Sequence, residues 1–410
     1  MILFCEECGT RHDIETAFIE ARGYQFPCHI CNEVLVVSRS GKVIKNTHAA
    51  MHQRELSPDP KRSAKLKVLV VDDSKVIRKV LKEIIESDGR KEVVGEAENG
   101  RLALEILSKT PPDVITLDIN MPVMDGLSTL KHIMIIRPTP TVMISAFAKE
   151  GALATFDSLK YGAIDFLPKP SQARGMDLNV QKEEIHRKIE LAAGVQIESV
   201  RYLRRPLKKE RGTNNSAPCR FVMAIGVAEG GYGALLNVLP NLRAELPAAY
   251  IAVMPNANTH IDSFAEYLNR CSHLEIQRVS DGIELRGGVC YLAAAEEYVY
   301  VDKSDSSICL RVKPTSPSRQ IGPIDLLMNS VADCVQANAG GVILTGTGED
   351  GIEGLGKIIN RGGVSFVQDP VSCLYKKTPI DAVKRYAVNY LVSDKQMSVA
   401  INSYLVSHAN

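Results

Sequence analysis

The chain has 410 residues, enough at roughly 150 per folded unit for two to three domains and too many for one core. Hydrophobic residues make up 45% and charged residues 24%, ordinary globular usage that excludes a chain disordered or membrane-embedded over most of its length. Lysine and arginine number 49 against 48 aspartates and glutamates, a formal net charge of +1, which excludes a uniformly basic protein built to coat polyanions.

Residues 1–38 carry Cys5, Cys8, Cys28 and Cys31 as two C-x-x-C pairs with nineteen residues between them. Such turns hold thiolates at the spacing of a tetrahedral Zn2+ site, and a structural Zn2+ supplies the stability that so short a unit lacks. A small zinc ribbon is expected, with His12 and His29 as the weaker alternative ligands. The other six cysteines are scattered singly and read as small hydrophobes in a reducing compartment. With no basic leader, and no apolar run near the ~18 residues that span a bilayer, a cytoplasmic protein without membrane insertion is expected.

Residues 39–65 read as a basic linker. The stretch from Ser38 to Lys67 holds eight basic and two acidic residues with Pro58 and Pro60. No aromatic residue is interleaved there, so nucleic acid is not an expected partner.

Residues 66–170 alternate β-branched runs with amphipathic segments. Strands are expected at Lys67–Val71, Glu92–Ala97, Asp113–Leu117, Thr141–Ser145 and Ala163–Leu167, and the alternation predicts a parallel sheet. Residues 171–218, with ten basic and six acidic residues, read as a second linker containing a helix over Val180–Leu191. A second α/β pattern fills 219–410. It has strands at Phe221–Ile225, Tyr250–Val253, Gly288–Ala293, Gly341–Thr345 and Val364–Gln368, and helices around Leu235–Leu239, Ile324–Val335 and Ile352–Ile359. The fold class is therefore α/β, two doubly wound parallel-sheet domains plus a small N-terminal zinc ribbon.

In an open parallel sheet, ligands gather beyond the carboxyl ends of the strands. In the first domain those ends carry Asp72 and Asp73, Asp118, Ser145 and Lys169. Three carboxylates at one edge repel unless a hard cation such as Mg2+ joins them, and the hydroxyl and ammonium add donors for a phosphoryl group. This set, with Met121-Pro-Val-Met-Asp-Gly126, closely resembles the receiver domain of two-component response regulators, a flavodoxin-like fold. The resemblance implies that Asp118 accepts a phosphoryl group from a CheA-like histidine kinase. It also implies that Asp72, Asp73, Asp118 and the Asn120 carbonyl hold Mg2+, that Ser145 and Lys169 contact the phosphoryl oxygens, and that Phe166 is the aromatic switch that buries on activation. Receivers usually carry a cis peptide where Lys169-Pro170 stands.

The second domain has two glycine-rich corners, Gly226-Val-Ala-Glu-Gly-Gly231 and Gly346-Thr-Gly-Glu-Asp-Gly351, each after a strand. Alone they suit an anion cradle, a nucleophile turn or close packing of elements. Together with Ser263-Phe-Ala-Glu266, Asp281-Gly282 and Val367-Gln-Asp369, they resemble the Rossmann-like catalytic domain of the chemotaxis protein-glutamate methylesterase CheB, over roughly 220–406. The departures fall on the chemistry. The nucleophilic serine of the family's G-A-S-T-G-G turn corresponds to Ala228, and the general-base histidine of its Q-H-M-P stretch falls on Met254 or Val253. Asp350 alone keeps a triad identity.

Losing a triad nucleophile costs about a millionfold in turnover. The reading is thus a chemotaxis-like response regulator whose methylesterase-like domain is inactive and binds a chemoreceptor or another signalling protein. The alternative is an active methylesterase or glutamine deamidase with a relocated nucleophile, for which Cys290 or Cys373 with His260 are the candidates.

Overall fold

The computed structural model describes residues 65–145, 152–170, 178–195, 219–254, 261–294, 297–304, 307–314 and 321–408, with four short strands before them. Among those four, β1 (Ile2–Phe4) pairs antiparallel with β2 (Arg11–Asp13), and β3 (Tyr24–Pro27) with β4 (Val34–Val37). Cys5, Cys8, Cys28 and Cys31 lie outside the described residues.

The first domain runs β5 (Leu66–Val71), α1 (Lys75–Glu86), β6 (Lys91–Ala97), α2 (Gly100–Lys109), β7 (Val114–Asp118), α3 (Gly126–Ile136), β8 (Thr141–Ser145), α4 (Ala152–Lys160), β9 (Asp165–Pro168) and α5 (Leu178–Ala193). Its strands pair in parallel in the order β6-β5-β7-β8-β9. β7 and β8 are buried along their full length, as expected of central strands covered by helices on both faces. Side-chain caps start the helices: Ser74 accepts from Ile77 N, Asn99 from Leu102 N and Asp125 from Ser128 N.

Two expectations fail in this domain. The stretch read as a linker from residue 171 contains α5, which packs on the sheet of the first domain through buried Ile185, Ile189 and Ala192, joined by Val195 just past its end. Its charged residues suggested a linker, while the i, i+4, i+7 apolar stripe makes it the last helix of the domain. No peptide bond among the described residues is cis, Lys169-Pro170 included.

The second domain runs β10 (Phe221–Gly226), α6 (Gly231–Val238), β11 (Ala248–Met254), α7 (Ile261–Cys271), β12 (Glu275–Arg278), β13 (Val289–Ala294), β14 (Glu297–Ser304), β15 (Ser307–Pro314), α8 (Pro323–Val335), β16 (Ala339–Ile343), α9 (Ile352–Asn360), β17 (Val364–Gln368), α10 (Lys377–Arg385), β18 (Tyr390–Val392) and α11 (Asp394–His408). Seven parallel strands are ordered β12-β13-β11-β10-β16-β17-β18. The β14–β15 hairpin lies over α8, and neither it nor β12, β18, α10 and α11 was expected from the sequence. One apolar cluster is continuous between the domains, uniting Phe156 and Phe166 with Phe264 and Tyr267. Among the described residues, no helix is long and apolar enough to cross a membrane.

Candidate functional site

The parallel order of the first sheet brings the ends of β5, β7, β8 and β9 to one edge. One carboxylate oxygen each from Asp72, Asp73 and Asp118 lies within 4.8 Å of the others. Lys169, just past β9, puts its Nζ 2.8 Å from Asp72 Oδ2 and donates to Asp118 Oδ2 at 2.8 Å. Backbone donors fix the remaining oxygens, Ser74 N to Asp72 Oδ1 and Ile119 N to Asp118 Oδ1, both at 2.8 Å. Lys169 N reaches the Ser145 carbonyl at 2.9 Å, so strand pairing holds these two residues side by side. Asn120 is exposed in the loop after Asp118.

Burial pushes the Asp118 carboxyl above its ordinary range, although the Lys169 hydrogen bond opposes this. For Lys169, burial works against the charge, but the bonds to Asp118 and Asp72 outweigh it and hold the ammonium above an ordinary lysine. One ammonium balances one of three carboxylates. The all-oxygen donor set and the remaining negative charge fit Mg2+, which Asp72, Asp73, Asp118 and the Asn120 carbonyl would hold. Gly126 makes this geometry possible, because a Cβ there would stand 2.1 Å from the Asp118 carbonyl oxygen.

Phe166 lies in β9, three residues before Lys169, and is 1% exposed. The expectation was a ring that buries on activation; here it is already covered, by the other domain. Its centroid is 4.9 Å from that of Tyr232 in α6 and 5.7 Å from that of Phe156 in α4. Phe156 packs in turn on Phe264 at 5.1 Å and Tyr267 at 5.4 Å, both in α7. The Tyr267 hydroxyl donates to the Asp157 carboxylate. Lys188 of α5 donates to the Phe166 carbonyl at 2.7 Å, and its neighbour Arg187 pairs with Glu229 at 3.4 Å.

Ala228 stands between β10 and α6, where the strand-to-helix turn would display a nucleophile, and Gly230 opens α6 at φ 76°. Met254 ends β11 and shares a recess with Ala228. Val253, one residue earlier, packs in the cluster on the opposite sheet face with Ile324. The recess holds ≈ 30 Å³, and Arg187 and Lys188 of α5 and Tyr232 help to wall it. That is room for about one or two water molecules at its base, where it is partly open to solvent.

The third triad position has a different occupation. Asp350 accepts from Ile324 N at 3.0 Å and Asp325 N at 2.9 Å, capping α8. Asp325 accepts in return from Gly354 N of α9 at 2.7 Å. Burial raises both carboxyls, Asp325 to about 6 with the Asp350 charge adding to the effect.

The relocated thiols gain nothing from the geometry. Cys290 is fully buried inside β13, and burial pushes its thiol up. The Cys373 thiol is likewise raised by burial and donates to the Gln368 and Asp369 carbonyls. His260 lies outside the described residues. Sequence reasoning missed Glu229, which bridges both glycine-rich corners by accepting from Thr347 N at 3.1 Å. It also missed Arg187 and Tyr232, whose roles exist only once the domains are in contact.

Comparison with known proteins matches these two units. The response regulator receiver domain family fits residues 68–181, and the CheB methylesterase family fits residues 223–401. The protein-glutamate methylesterase/protein-glutamine glutaminase 2 of Shewanella sp. (strain MR-7) is 37% identical over 348 residues, covering 83% of this chain and 98% of the relative. The corresponding protein of Pyrococcus abyssi is 36% identical, covering 81% and 92%. The response regulator domain of Thermotoga maritima CheB is 41% identical, covering 33% of this chain and 100% of that structure, with a TM-score of 0.30. Two domains in the same order, and a relative matched over nearly its entire length, place the chain in the protein-glutamate methylesterase/protein-glutamine glutaminase family.

Proposed function

We propose that this chain is a phosphorylation-controlled response regulator of a chemotaxis-like pathway whose methylesterase-like domain is catalytically inactive and acts by binding. The observation that carries the reading is the pairing of Ala228 with Met254 in one small recess, while Asp350 spends its carboxylate on the end of α8. A methyl group and a thioether offer neither nucleophile nor base to an ester or an amide carbonyl.

The phosphodonor is a CheA-like histidine kinase. In the transfer, an Asp118 oxygen bonds to phosphorus as the N–P bond of the phosphohistidine breaks, and the departing imidazole nitrogen keeps the pair and takes up a proton. Mg2+ at this site supplies charge neutralisation of the transferred group. Lys169 is placed to exchange its Asp118 contact for a phosphoryl oxygen, and Ser145 ends the neighbouring strand at the same edge. The new charge acts on Phe166, and through Tyr232 on the turn that carries Ala228. Activation therefore loosens the receiver from α6 and α7 and exposes that surface to a chemoreceptor or another signalling protein in the cytoplasm. The N-terminal cysteines form a Zn2+ ribbon that adds a contact, which metal analysis of the purified chain checks: one zinc expected, and none in a Cys5→Ser, Cys28→Ser variant.

The test of inactivity is methanol release from methylated chemoreceptor and ammonia release from its glutamine side chains. The chain is activated with beryllofluoride and Mg2+, beside an authentic methylesterase. No release above the enzyme-free control is expected. Release lost in Cys290→Ala, Cys373→Ala or His260→Ala would replace this reading by a relocated catalytic pair.

A further inference from the structure

Arg78 is not among the residues read as phosphoryl-transfer machinery, yet its side chain is only 13% exposed. It rises from the first turns of α1 and folds back over the end of β5. Its Nη1 donates to the Asp72 carbonyl at 2.8 Å and to the Asp73 carbonyl at 3.1 Å. Both carbonyls lie beyond β5, where the last bond toward β6 is Asp72 N to Ala97 O at 3.1 Å.

Glu96 of β6 holds the guanidinium from the other side, 3.8 Å from Nε, and is itself held by Lys82 of α1 at 3.4 Å. The pairing of β5 with β6 skips Val94, passing from Val68–Val93 to Leu69–Gly95. That shift sets which later residues of β6, Glu96 among them, turn toward α1.

We infer that Arg78 is a positioning residue for divalent-cation binding. By clamping the peptides on both sides of Asp73 it fixes the direction of the exposed Asp73 carboxylate relative to buried Asp72. The inference rests on reading Asp72, Asp73 and Asp118 as the Mg2+ site. Its sign is informative, because the two effects of Arg78 oppose each other. Its positive charge near three carboxylates repels a cation, so on charge alone its removal would tighten metal binding. Its hydrogen bonds preorganise the ligands, so on position its removal weakens binding, as loss of outer-shell partners does in metal sites generally.

The test uses the full chain, with Mn2+ followed by electron paramagnetic resonance and displaced by Mg2+. Arg78→Ala is expected to raise the Mn2+ dissociation constant about tenfold. Arg78→Gln drops the charge but keeps an amide donor for one of the two carbonyls, and a smaller weakening is expected. Unchanged or tighter binding in either variant overturns the inference, and the glutamine variant decides it alone if the alanine variant does not fold. Absence of Mn2+ and Mg2+ binding by the unaltered chain would overturn the metal-site reading instead, so the two failures are distinct.

Discussion

Val123 holds φ at 67° in the loop after Asp118, a region in which β-branched residues are rare, and it is 79% exposed, so no packing compensates. Replacing it with glycine removes that strain, partly offset by greater freedom in the unfolded chain. The expected result is a receiver more stable by about 1 kcal/mol, read from denaturant midpoints. A destabilised variant would mean the side chain makes a contact that outweighs the strain. Gly126→Ala goes the other way, since its Cβ meets the Asp118 carbonyl. It should lower both stability and phosphorylation by a small phosphodonor such as acetyl phosphate. At this level the sequence was legible where residue type and spacing define the chemistry. Asp118 and Ser145 end a strand and Asp72, Asp73 and Lys169 directly follow one, and a shared edge follows from parallel order. Glu229 was illegible because its partners, Thr347 and Arg187, lie 118 and 42 residues away and meet it only in the fold.

Helices α8 and α9 are tied together through Asp350 and Asp325, which gives Asp350 a structural task. Removing it by Asp350→Ala should cost about 1 kcal/mol of stability, the usual value of a helix cap, and change no catalytic rate. The pH dependence follows from the raised carboxyls. A folded-state value of about 6 for Asp325, against 3.8 as the ordinary value, means the native state keeps a proton that the unfolded chain has already released. Stability from this group is full below about pH 4 and is lost as pH rises through about 6. Asp325→Asn, which keeps the acceptor for Gly354 N, should flatten that slope in urea titrations between pH 4 and 7. An unchanged slope would assign the titration elsewhere. Helix α5 was legible as a helix, but its place in the first domain rather than in a linker was hidden for a physical reason. Its charged residues outnumber its apolar stripe, and Lys182 through Glu190 resemble solvated linker until Ile185 and Ile189 are seen against the sheet. The β14–β15 hairpin was legible in principle, since buried Val299, Val301 and Leu310 alternate with Tyr298, Tyr300 and Arg311 over strands of 8 residues each.

The two domains meet chiefly through rings, with a few charged groups at the edge of the contact. Four ring pairs cross the junction, Phe166–Tyr232, Phe156–Tyr232, Phe156–Phe264 and Phe156–Tyr267. Such pairs contribute about 0.5–1.5 kcal/mol each beyond the area they bury, whereas the half-exposed Arg187–Glu229 pair adds little. Carrying a 1:99 equilibrium to 99:1 needs roughly 5.5 kcal/mol of differential interaction, which new phosphoryl contacts would have to supply beyond the one ring pair, Phe166–Tyr232, that Phe166 makes across the junction. The motif pattern revealed both domains and their order. It did not reveal that Phe166 is covered by the second domain, because that depends on which faces of two separately readable units come together.

Hydrogen exchange of α6 (Gly231–Val238) and α7 (Ile261–Cys271) in the full chain, with and without beryllofluoride and Mg2+, tests this coupling most directly. Faster exchange in both helices on activation, abolished by Asp118→Asn, is the predicted result. Unchanged exchange in α6 and α7 with beryllofluoride demonstrably bound at Asp118 would contradict control of the output domain by phosphorylation.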